Sequence, residues 1–227
     1  MTAMIDGVQM KVTSEERTEE ATRKETALLR TIETKLSGFE DGSIWLFEHK
    51  GLPVAMVELW TSRKNPSWGH TLLAVTSDEL TGTVGGNVWS PEAGNGVVFK
   101  PIPEADAPRS TPRLRKIQMR QYSRRFKVQE FRLLTEPIHR YAGGDVEDGG
   151  IFAFVKGEAN PEALVFLQSR GGKWEYGFLR CSSEGLTGTL DEDEVWRVKA
   201  AQGYVGSADQ PFWVIRRPFQ TVQTNGN

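Results

Sequence analysis

The chain has 227 residues, 28 Lys and Arg against 30 Asp and Glu, a net charge of -2, and 38% hydrophobic residues. That apolar content excludes a disordered chain, and the charge balance excludes bulk attraction to nucleic acid or acidic lipid, so any such attraction must be local. A single cysteine, Cys181, rules out an internal disulfide.

Residues 1–27 are polar and rich in Thr and Glu, which predicts a frayed tail or a short solvated helix. A first β module is expected over residues 28–107. Its strands are Ile44 to Glu48, Pro53 to Trp60 and Trp68 to Val75, with shorter ones at Leu80 to Val84, Val88 to Trp89 and Val97 to Ile102. His49-Lys50-Gly51 reads as a hairpin turn, and Gly85-Gly86 and Gly94-Asn95-Gly96 as breaks. Residues 108–130 read as a linker carrying a helix from Arg113 to Phe126, started by Thr111 as cap and Pro112 in the first turn. Leu114, Gln118, Tyr122 and Phe126, with Met119, give it a moderately apolar face. Arg113, Lys116, Arg120, Arg124 and Lys127 form a basic stripe, and no acidic residue occurs from Ala107 to Gln129. A second β module follows over residues 131–220, with strands at Ile151 to Val155, Ala163 to Ser169, Trp174 to Cys181, Leu186 to Leu190 and Val195 to Val198. Residues 221–227 read as a C-terminal tail.

The second module repeats the first. Asp41-Gly42-Ser43-Ile44-Trp45-Leu46-Phe47 corresponds to Asp148-Gly149-Gly150-Ile151-Phe152-Ala153-Phe154, and Leu80-Thr81-Gly82-Thr83 to Leu186-Thr187-Gly188-Thr189. Trp68 and Trp89 have counterparts in Trp174 and Trp196. The offset holds near 106 to 108 residues, which predicts a tandem duplication. Leu28 to Leu36 fits a helix or a strand. Its counterpart, taken as Leu133 to Tyr141, contains Pro137, so both are read as strands. The expected fold is mainly β: two antiparallel meanders, packed as a sandwich or half-open barrel and joined by one amphipathic helix.

No sequence pattern marks an enzyme. His49, His70 and His139 show no zinc-ligand spacing, and neither a nucleophile elbow nor a phosphate loop is present. No catalytic residue, metal site or cofactor is therefore assigned. Asp191-Glu192-Asp193-Glu194 lacks the alternating spacing of a calcium loop and reads as a charged hairpin tip.

The run Arg113-Leu114, Gln118-Met119-Arg120 and Arg124-Arg125-Phe126, followed by Pro137-Ile138-His139-Arg140-Tyr141 and Asp148 to Val155, resembles an uncharacterised bacterial family of tandem-duplicated proteins. Pro161-Glu162-Ala163-Leu164 and Glu194-Val195-Trp196 fit the same pattern. The resemblance implies a duplicated, mainly β architecture and supplies no activity or site residues.

The favoured reading is a non-enzymatic interaction protein. Arg113, Lys116, Arg120 and Arg124 would contact an unknown protein or anionic surface; nucleic acid ranks below these because the stripe lacks interleaved aromatics. One alternative is glycan or small-molecule binding on the unshared Trp60 and Trp213. Another is a hydrolase whose paired carboxylates are assembled by folding. No stretch approaches the roughly 18 apolar residues of a membrane span, and no signal-peptide core opens the chain. The expectation is a soluble protein, cytoplasmic as the sequence stands and exported if a leader was removed.

Overall fold

Apolar side chains on successive strand residues require a buried surface on each face of a sheet, and this chain supplies both. The computed structural model describes residues 2–14, 16–32, 39–62, 67–157 and 160–218. The first half runs α1 (Thr2–Ile5), β1 (Val8–Ser14), β2 (Arg17–Glu20), β3 (Thr22–Arg23), β4 (Leu29–Ile32), β5 (Phe39–His49), β6 (Leu52–Ser62), β7 (Ser67–Ala74), β8 (Glu79–Val84), β9 (Asn87–Trp89) and β10 (Lys100–Pro101). The second runs α2 (Pro112–Ser123), β11 (Phe126–Val128), β12 (Arg132–Leu133), β13 (His139–Gly143), β14 (Val146–Lys156), β15 (Asn160–Arg170), β16 (Lys173–Arg180), β17 (Leu186–Leu190), β18 (Asp193–Val198) and β19 (Phe212–Pro218). The fold is mainly β, its sheets are antiparallel, and α2 is the one long helix among the described residues.

Four sheets stack in layers. An outer sheet, β2-β1-β8-β9, covers an inner sheet, β19-β7-β6-β5-β3. A second inner sheet, β10-β16-β15-β14-β12, is covered by an outer sheet, β11-β17-β18. Along β5, Trp45 and Phe47 enter the first outer–inner core, while Ile44 and Leu46 enter a core shared by the two inner sheets. In β14, Phe152 and Phe154 enter the second outer–inner core, while Ile151, Ala153 and Val155 meet the shared one. Each such side chain contributes about 1.5–3 kcal/mol when fully buried. The central strands therefore read as continuous apolar runs.

The inner meanders match strand for strand: β5, β6 and β7 have 11, 11 and 8 residues, and so do β14, β15 and β16. Their outermost strands are exchanged. β10, which leaves the first half, pairs with β16, and β19, which leaves the second half, pairs with β7 over seven residues.

Several boundaries differ from expectation. Residues 8–14 are a core strand, not part of a tail: Val8, Met10 and Val12 alternate inward, a period-2 signal hidden by the flanking Thr and Glu. Among the described residues, strand structure in the paired segments covers Leu29–Ile32, and Arg132–Leu133 with His139–Gly143. Lys24 and Leu28 donate backbone hydrogen bonds to Leu46 and Ile44, as Leu134 and Ile138 do to Ala153 and Ile151. The matching offset here is thus 110 residues, and Pro137 corresponds to Ala27. Residues 33–36 of the predicted strand and the predicted tail 221–227 lie outside the described residues. Within the expected linker, β11 is a paired strand of the outer sheet.

Candidate interaction face on helix α2

Helix α2 begins where the sequence places it. The Thr111 hydroxyl accepts from the Leu114 amide, and Pro112 opens the first turn. Its buried residues are Gln118, Met119 and Ser123, and Met119 is fully enclosed against the second outer–inner core. A methyl group on Gly150 would lie 3.0 Å from the Met119 sulfur, so this glycine lets the helix sit close to β14. Tyr122 meets Trp174 edge-on at 5.8 Å. The expected apolar face is kept at Gln118, Met119, Tyr122 and Phe126 and lost at Leu114. Leu114 is 44% exposed, as is Ile117, because the inward position of the first turn belongs to Arg115.

Polar groups fix the start of the helix. Asp148, buried on β14, accepts from Arg115 Nε at 3.0 Å and from Arg140 Nη2 at 2.5 Å. Arg115 also donates to the carbonyls of Arg109 and Ser110, and Arg140 to that of Pro112. Gln118 donates to the Ala107 carbonyl and accepts from the Arg109 amide. These contacts hold the incoming loop and first turn in one position.

The four predicted cations divide into two pairs. Lys116 and Arg120 both reach Glu136, at 3.0 and 3.1 Å, and the hydrogen bond from Lys116 holds the Glu136 carboxyl below its usual range. Arg113 and Arg124 are exposed and make no ion pair with any described residue. They stand eleven residues apart, about 16 Å along the axis, with Leu114, Ile117 and Gln121 between them on the outward side. Just beyond the helix, Arg125 pairs with Asp191 and Lys127 with Glu192, each at 2.5 Å. Asp191 and Glu192 adopt φ of 49° and 74°, a left-handed turn like that of Gly85 and Gly86 at 49° and 86°. The acidic run is therefore a hairpin tip, and among the described residues no cluster of His, Cys, Asp and Glu is arranged to hold a metal.

The two tryptophans do not share a surface. Trp60 is buried, donates to the Thr71 hydroxyl at 3.1 Å, and would collide with any side chain at position 69. Trp213 packs, partly buried, into the first outer–inner core, on the opposite face of the same sheet. An open groove of about 500 Å³ runs between Glu92 and Asn95 on one side and Val198 to Gln202 on the other, with Arg180 and Phe212 in its wall. Arg180 lies over the Phe212 ring at 4.6 Å and donates to the carbonyls of Ser182, Glu184 and Lys199, which leaves it little capacity for a ligand.

Comparison with protein-family models, curated proteins and solved structures finds no match to this chain. Functional assignment therefore rests on the residues alone.

The fold places two carboxylates on facing inner sheets, and no motif or spacing in the sequence links them. Glu58 on β6 and Glu162 on β15 belong to different inner sheets, and both act electrostatically on Cys181. Burial pushes the Glu58 carboxyl up to about 7, with Thr71 hydrogen-bonded to it and Glu162 adding to the rise. Cys181 is raised too, by burial and then by both carboxylates. Neither acid lines the open groove.

Proposed function

We propose that this chain is an interaction protein whose outward α2 face receives an acidic surface of another protein. The observation that carries this reading is the placement of Leu114 and Ile117, each 44% exposed, between Arg113 and Arg124, which pair with no acid among the described residues, on a helix bolted to its scaffold. A rigid helix loses little conformational entropy on binding. Desolvating two aliphatic side chains supplies contact energy, while the flanking guanidiniums select carboxylates. The apolar strip is too narrow for an interfacial lipid helix, which needs a full apolar face.

The matched inner meanders and the paired left-handed turns support a tandem duplication, in which α2 belongs to the second copy. The test is affinity capture with the full chain at low and high salt, alongside Arg113→Glu/Arg124→Glu and Ile117→Asp variants. Partners held by the parent and lost from both variants are expected. Identical partner sets for all three proteins would overturn the assignment.

A further inference from the structure

We propose that the outward strip of α2 seats an acidic amphipathic helix laid alongside it, with carboxylates about three turns apart and aliphatic side chains between them. This rests on the acidic-surface reading above and narrows it to one kind of partner. Beyond Pro112, the exposed residues of α2 and its C-cap are Arg113, Leu114, Ile117, Gln121 and Arg124. Their steps of three and four residues draw a single ridge along the helix.

Neighbouring groups confine that ridge. On one flank Lys116 and Arg120 turn to Glu136. On the other, the Gln118 amide is bonded to the loop at Ala107 and Arg109. Met119 and Ser123 are buried beneath. With its other sides taken, α2 cannot enter a deep groove of a partner. A strand matches poorly, because its same-face side chains recur about every 6.7 Å, near 13 or 20 Å, and a helix offers it no open backbone edge. A second helix fits. Rows of side chains settle between one another at about 8–10 Å between axes. Carboxylates eleven residues apart then span the same distance of about 16 Å as Arg113 and Arg124, on one face to within about 20°.

The charge of the ridge selects acid. Arg113 and Arg124 make no ion pair with any described residue, nor does Arg109, exposed in the incoming loop. The acids that touch α2 and its end are already taken: Glu136 by Lys116 and Arg120, Asp148 by Arg115 and Arg140, Asp191 by Arg125. Glu136 shows the contact itself, since its one carboxylate receives two cations four residues apart on this helix, at 3.0 and 3.1 Å. Leu114 and Ile117 leave water when aliphatic side chains cover them.

Two labelled, helix-favouring peptides of one composition test this by fluorescence anisotropy against the full chain. In the first, two Glu stand eleven residues apart on a face with Leu between them. In the second, the Leu stay and the Glu move to the opposite face. The first is expected to bind about fivefold more tightly at low ionic strength, an advantage that high salt removes. The exchange Arg113→Gln/Arg124→Gln erases the difference, and Ile117→Asp weakens both peptides. Near-ultraviolet circular dichroism checks that each variant keeps the parent's fold. Equal affinities, both lowered by the double Gln exchange, would overturn the helical register and leave the acidic-surface reading standing. A difference that survives that exchange would overturn both. Binding of neither peptide would overturn the helical partner, and affinity capture then decides the broader reading.

Discussion

Removing the Asp148 carboxylate should release the start of α2 and destabilise the whole chain. Its side chain is 6% exposed, that of Arg115 is 12% and that of Arg140 is 34%. Taking one member from a buried ionic group costs about 3–5 kcal/mol, because the remaining charges stay desolvated. Arg140 rehydrates readily, so Asp148→Ala is expected near the lower end, at about 3 kcal/mol. For a chain of 227 residues, an unfolding entropy of about 2.1 cal/mol/K per residue turns that into a fall of about 6 °C in Tm. Urea denaturation followed by tryptophan fluorescence gives the free energy. A cycle with Arg115→Ala separates the pair from its surroundings, with a coupling of at least about 1 kcal/mol expected. An Asp148→Ala protein within about 0.5 kcal/mol of the parent, or strict additivity with Arg115→Ala, would refute the argument that this group anchors the helix.

Two further outcomes follow from the geometry. His70 is 1% exposed, and burial, reinforced by Arg217, pushes its pKa down to about 4. Because the folded value lies below the unfolded one, His70 favours folding fully above about pH 6.5, and that contribution is lost as pH falls towards 4, by about 3 kcal/mol in all. His70→Leu should remove this limb from the stability–pH curve, and an unchanged limb would contradict it. Gly51 has φ of 81°, and a methyl group there would lie 2.4 Å from the Ala142 carbonyl oxygen in the other half. Gly51→Ala should therefore cost more than about 2 kcal/mol, whereas Gly171→Ala, at φ of 53° with open space around it, should cost only about 1 kcal/mol in the same melts.

Much of the scaffold was legible because its signals are local. The Thr111-Pro112 start of α2, the His49-Lys50-Gly51 turn and the apolar runs of β5, β6, β14 and β15 each lie within a few residues. Strand β1 was missed because its alternation spans only five residues inside a charged segment. Helical periodicity places Gln118, Met119, Tyr122 and Phe126 inward, where the structure has them, and fails only at Leu114, because Asp148, 33 residues beyond Arg115, draws that arginine inward instead. Arg113, Lys116, Arg120 and Arg124 were visible as a stripe, but their division was not, since it depends on Glu136 across a turn. Glu58 and Glu162 lie 104 positions apart on strands that pair with neither each other nor a common neighbour. Only the stacking of two sheets brings one within electrostatic reach of the other.

The exchange of β10 and β19 has a consequence for how the chain responds to cutting. Residues 102–111 are the sole covalent tie between the halves, yet β19 is held on β7 by a seven-residue ladder and β10 reaches β16 in return. A protease that severs the exposed loop near Asp106 would thus yield two fragments that still migrate as one particle. They would part only under denaturant, so the peptide link governs how fast the halves find each other more than how firmly they stay together.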